Sequence, residues 1–106
     1  MLLTYASADN FALRRYVCSL EAAGLSAQVM ALGDVHLGVG EKVLRLRREL
    51  LGLKDDAATV VLFSDAYDVL FLAGADAILA RFKKLAKRVV FSADTNCWPY
   101  GPHCHR

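Results

Sequence analysis

Two carboxylates, Asp65 and Asp68, interrupt the otherwise apolar run VLFSDAYDVLF at residues 61–71. A buried carboxylate without a partner costs several kcal/mol, so such groups are paired, neutralised or left in water. Either both acids sit where the run emerges into solvent, or a positive charge meets them there. Two hard oxygen ligands at this spacing suit Mg²⁺ or Mn²⁺, with the remaining coordination supplied by water and a diphosphate. Aspartates that follow a strand also cap turns, and spacing alone leaves both readings open. Tyr67, between the acids, is suited to stack on a planar base or to pack beneath its own loop. Gly74 closes the segment with a backbone freedom that other residues lack.

Residues of this kind act only if a scaffold aims them. Four short apolar runs, LLTYAS (2–7), SAQVMAL (26–32), ATVVLFS (58–64) and VVFSAD (89–94), read as strands. Between them lie amphipathic stretches that read as helices over 7–24, 41–53 and 74–88, and a glycine-punctuated loop over 33–40. In the first helix Ser7 and Asp9 are cap candidates, Gly24 is the stop, and Phe11, Tyr16, Val17, Leu20 and Ala23 form the apolar stripe. In the second, Val43, Leu46, Leu50 and Leu53 share one side and leave a solvated basic face. The third run is apolar throughout, which predicts a strand covered on both sheet faces. Strands alternating with helices predict an α/β fold, a Rossmann-like parallel sheet of about four strands. Ligands bind beyond the carboxyl ends of such strands, the edge where Asp65 and Asp68 fall.

Composition narrows the partners. A chain of 106 residues is at most one domain, and 56% hydrophobic against 23% charged residues excludes a disordered segment. A net charge of +2, from 13 basic and 11 acidic residues, is too balanced for a nucleic-acid surface. No apolar run reaches the roughly 18 residues of a membrane span. The opening MLLTYASADNF lacks the basic segment of a secretory signal. Cys18 lies in a helical pattern and reads as a small buried hydrophobe. Cys97, His103, Cys104 and His105 sit in the tail CWPYGPHCHR, whose spacing fits no closed zinc site, and a loose terminus is expected there.

The segments GVGEKVLRLRREL, FSDAYDVLFLAG and RVVFSADTNCWPYG, in this order and spacing, resemble the glycosyltransferase domain of the procollagen lysyl hydroxylases. The resemblance runs from the first strand to the Trp-Pro pair. It implies a GT-A glycosyltransferase fold that transfers glucose or galactose from a UDP-sugar to hydroxylysine of a collagen-like protein, with Mn²⁺ as the metal. On that resemblance Asp65 and Asp68 match the metal-binding aspartates, and Tyr67 matches the aromatic on the uracil. Thr4 matches a threonine near the nucleotide, Lys42 a lysine facing the diphosphate, and Trp98 a tryptophan beside the transfer site. From the residues alone, Lys42 also reads as an exposed lysine at a helix start and Trp98 as a loop anchor.

The family pattern continues past the Trp-Pro pair into an acidic run and a histidine ligand that are not in this sequence, and the loop GVGEK is less glycine-dense. The chain therefore reads as a single partial domain, its donor-binding half. The family implies the secretory pathway, although this chain does not itself identify a compartment. The rival from another class is a non-catalytic remnant or nucleotide-sugar-binding module. A phosphate-handling hydrolase would want a pair of acids after the first strand, and LLTYAS has none.

Overall fold

A computed structural model of the chain describes residues 1–35, 38–53 and 58–92. Its elements run β1 (Leu2–Tyr5), α1 (Phe11–Ala22), β2 (Gln28–Met30), α2 (Val39–Gly52), β3 (Leu62–Asp65) and α3 (Ala75–Lys84). The strands form one parallel sheet in the order β2-β1-β3. The alternating α/β pattern of the sequence is thus realised. Among the described residues, 89–92 form no strand, and Val89 and Phe91 are 67% and 87% exposed. A strand needs a ladder partner, and this stretch pairs with none of the described strands. The rest of that run lies outside the described residues.

The sheet's burial also departs from expectation. The run predicted to be covered on both faces, now β3, is only half-buried, because β3 lies at the edge of these three strands. The fully covered strand is the central β1, whose four residues are all buried. Side chains alternate across a strand. In β1 this sends Leu2 and Thr4 toward α1, and Leu3 and Tyr5 toward α2. In the β1–β3 register, Leu2 faces Leu62, Thr4 faces Ser64 and Tyr5 faces Asp65. The alternation thus places Asp65 on the face covered by α2.

The core lies on the α1 face, where Leu2, Ala6, Leu13, Tyr16, Leu20 and Ala66 form one buried cluster. Leu13, Tyr16 and Leu20 supply the stripe of α1. Phe11 and Cys18 lie off this stripe, about 200° round the helix from Leu13 and Tyr16 respectively at 100° per residue. Phe11 is accordingly 76% exposed, and Cys18 is exposed rather than buried. The cap is Asn10, not Ser7 or Asp9: its Oδ1 accepts from the Leu13 N–H at 3.0 Å. Asp9 instead pairs with Arg14 on the surface. Gly24 ends the helix as expected, at φ 67°, with Gly24 N–H donating to Glu21 and Leu25 N–H to Leu20.

Two further details concern α3. Gly74, its N-cap, has an ordinary extended backbone, so conformational freedom is not what it supplies. A Cβ there would come within 3.0 Å of the Ala23 carbonyl oxygen, so close approach is the reason for glycine. After α3, Ala86 occupies the left-handed region at φ 50°, its N–H donating to Lys83. An L-residue with a Cβ is disfavoured there by roughly 1–2 kcal/mol, part of which glycine returns through its looser unfolded chain. Ala86→Gly is therefore expected to stabilise the fold by about 0.5–1 kcal/mol, read as a rise in thermal midpoint of a few degrees. Among the described residues no helix is long and apolar enough to cross a membrane.

Candidate functional site

The site is built where β1 and β3 end side by side. Asp65 closes β3, paired in register with Tyr5. Beyond it the chain bends through Ala66, Tyr67 and Asp68. Ala66 is buried in the core and anchors the bend, so the residues on either side of it are presented outward.

From the opposite element comes Lys42, in the first turn of α2, whose Nζ donates to Asp65 Oδ1. The two side chains are 30% and 48% exposed, so the pair sits at the rim and not in the interior. Asp65 thus has the positive partner that its apolar setting called for. Asp68 is exposed on the bend.

The second helix does not lie as its pattern predicts. Val43 and Leu50 are exposed, while Glu41, Lys42, Arg45, Leu46 and Glu49 are half-buried. Polar contacts select this face. Tyr5 Oη donates to Glu41 Oε2 at 3.0 Å. Arg45 bridges Glu41 at 3.1 Å and Asp34 at 2.7 Å, and Gln28 donates to Glu49 at 3.0 Å. Lys42 and Arg45 are therefore not part of a solvated basic face; Arg47 and Arg48 are. Tyr5, Glu41 and Arg45 are functional neighbours that sequence reading missed. The available signal was an acid next to Lys42 in the first helical turn, where a carboxylate suits the helix dipole.

Burial and then the bond to Glu41 raise the Tyr5 phenol above its ordinary value near 10.0. A raised folded-state value favours the protonated native form. The contribution is complete below the unfolded value and is lost as pH climbs through the folded one. Stability is therefore expected to fall more steeply above about pH 10 in the parent than in Tyr5→Phe, by urea denaturation across the alkaline range.

Tyr67 is 40% exposed, and its hydroxyl is held twice by one residue. It accepts from the Ala8 N–H at 3.1 Å and donates to the Ala8 carbonyl at 3.2 Å. The ring is thereby tied to the loop after β1, with one edge fixed and area left open. Thr4 is fully buried, and its hydroxyl donates to the Ser64 carbonyl at 2.8 Å. It locks the end of β3 from within the sheet. The structure brings Lys42 and Asp65 into contact, with Tyr67 and Asp68 following on the bend and Thr4 buried on the other face of the sheet. Trp98, Cys97 and the tail through Arg106 lie outside the described residues.

As a donor set the edge offers two carboxylates and one ammonium, and Lys42 already stands as a cation on Asp65. Hard oxygens of this kind suit a divalent ion that completes its shell with ligand oxygens. Among the described residues no three or more His, Cys, Asp or Glu side chains converge into a closed metal cage.

Open parallel α/β sheets take their ligands in the crevice at the carboxyl edge of the strands, and here that edge carries Asp65, Tyr67 and Asp68, with Lys42 on Asp65. The chain matches the family model described as the PLOD GT domain over residues 1–102, and it belongs to that family. It is 32% identical over 106 residues to procollagen-lysine,2-oxoglutarate 5-dioxygenase 1 of Homo sapiens. It is 31% identical over 109 residues to the multifunctional procollagen lysine hydroxylase and glycosyltransferase of Caenorhabditis elegans. The procollagen-lysine,2-oxoglutarate 5-dioxygenase of Drosophila melanogaster is 29% identical over 105 residues. These alignments cover 92–93% of this chain and 15% of each relative. The chain thus spans about 15% of the length of the curated relatives it matches.

Proposed function

We propose that this chain is the donor-binding part of a GT-A glycosyltransferase domain that takes a UDP-sugar, glucose or galactose, and serves transfer to hydroxylysine of a collagen-like protein. What carries the reading, beside the family, is the meeting of Lys42 from α2 with Asp65 from β3, next to Tyr67 and Asp68. The sequence motifs are 23 residues apart, yet they share one sheet edge.

Each residue has a physical task in this reading. Asp65 and Asp68 hold the divalent ion, Mn²⁺, which when bound supplies Lewis-acid neutralisation of the charge on departing UDP. Lys42, brought to this edge by the first turn of α2, adds a positive charge for the diphosphate. Tyr67, tethered to Ala8, presents its ring to the uracil. Thr4 keeps the β3 end in register below the nucleotide, and Trp98, on the family resemblance alone, serves the sugar. The Tyr5–Glu41–Arg45–Asp34 chain of contacts orients α2 and with it Lys42.

Calorimetric titration of the chain with UDP, with and without Mn²⁺, tests this. Binding that strengthens at least about tenfold with Mn²⁺ is expected, since an ion held by the aspartates would add its charge to the partners of the diphosphate. Equal affinity in the two conditions would mean that the aspartates do other work.

A further inference from the structure

The geometry points to a partner exchange at Asp65: Lys42 holds this carboxylate in the metal-free protein, yields it to the divalent ion, and then turns its ammonium to the donor diphosphate. The inference rests on the donor-site reading above but assigns Lys42 a role in both states of the site.

Three observations carry it. First, Lys42 Nζ and Asp65 Oδ1 are already paired without any ligand. A divalent ion taking this carboxylate would stand beside the ammonium, and two cations in contact repel strongly, which favours release of Lys42. Second, the pair is partly exposed, with 30% and 48% of the side chains open. An ion pair of this kind is worth only about 0.2–1 kcal/mol, so it orders Asp65 without blocking a metal that binds more tightly. Third, the backbone bearing Lys42 does not have to move. Glu41, the residue before it, is anchored to Tyr5 and Arg45, and Arg45 to Asp34. Arg45 is held by two carboxylates, whereas the flexible four-carbon stem of Lys42 lets its ammonium swing within reach of the same edge.

The exchange has a consequence for order. With the ion absent, Asp65 occupies the Lys42 ammonium, which is then not available to a diphosphate. Binding of the ion frees the ammonium next to it, so the ion prepares a second cation for the incoming nucleotide. Metal then precedes donor.

Amine acetylation of the whole chain, followed residue by residue by mass spectrometry, reads this directly. The exposed Lys83, Lys84 and Lys87 serve as internal references, and Mn²⁺ binding is followed on the same sample by the loss of the free-ion spin-resonance signal. Lys42 is expected to label about two- to fivefold more slowly than in Asp65→Asn, the factor that an exposed pair can supply. Mn²⁺ alone should remove that protection, and UDP added with Mn²⁺ should restore it. Lys42→Met, which keeps the stem, should bind Mn²⁺ alone about two- to fivefold more tightly yet bind UDP more weakly when Mn²⁺ is saturating. A merely structural lysine would move both affinities in one direction. If Mn²⁺ binds and Lys42 labelling does not change, the exchange is wrong while the metal site stands. If the parent chain binds no Mn²⁺, both the exchange and the donor-site reading fall.

Discussion

Asp65→Asn is expected to abolish the Mn²⁺ dependence of UDP binding, with a loss on the order of 100-fold in affinity at saturating metal. Groups that only orient a metal's ligands typically cost 10–100-fold when removed, so a ligand itself belongs at the upper end. The substitution keeps shape and replaces a negative oxygen by a neutral amide. It also removes the partner of Lys42, whose ammonium is then free to meet the diphosphate on its own. Residual UDP binding should therefore persist, weak and insensitive to Mn²⁺. Asp68→Asn should act in the same direction without touching Lys42. Calorimetry with UDP and Mn²⁺ decides it, and an Asp65→Asn chain with undiminished Mn²⁺-dependent affinity would remove the carboxylate from the site.

Tyr16→Ala should be the most damaging change to the fold, costing about 3–5 kcal/mol, the usual range for truncating a buried aromatic. Tyr16 is completely buried in the core cluster on the α1 face. Its ring meets Phe71 edge-on at 5.8 Å, and its hydroxyl shares a 2.8 Å hydrogen bond with Ser64 Oγ. The loss would cut α1 from β3, the strand that Asp65 closes. Tyr16→Phe separates the two contributions: packing is kept, Ser64 loses one partner, and about 1 kcal/mol is expected. Urea unfolding of the two variants makes the comparison. Similar losses for both would mean that the hydrogen bond, not the ring, anchors the helix.

Much of the scaffold could be read without a structure because it depends on near neighbours in the chain. The alternation of strands and helices, the stop at Gly24 and the position of Asp65 at a strand's carboxyl end all follow from local spacing and local backbone preference. The same is true of the tie between the motifs and the family. Spacing was less informative where several faces competed. Helical spacing runs the stripe of α1 through Phe11, although Leu13, two residues on, is the one buried. The strand expected over 89–94 had the right residues, but a strand exists only through its neighbour.

The face of α2 was beyond local reading. Its apolar residues Val43 and Leu50 stay exposed, because Glu41, Lys42, Arg45 and Glu49 find partners on Tyr5, Asp65, Asp34 and Gln28. Those partners are between 11 and 36 residues away along the chain. The sequence by itself determined the parallel α/β order, the family and the candidate charges. Tertiary structure alone decided that Asp65 faces α2, that Thr4 is closed inside the sheet, and that Lys42 is the cation Asp65 meets. The reason is that strand alternation fixes only which residues share a face, whereas the crossover that lays α1 on one face and α2 on the other decides what each face touches.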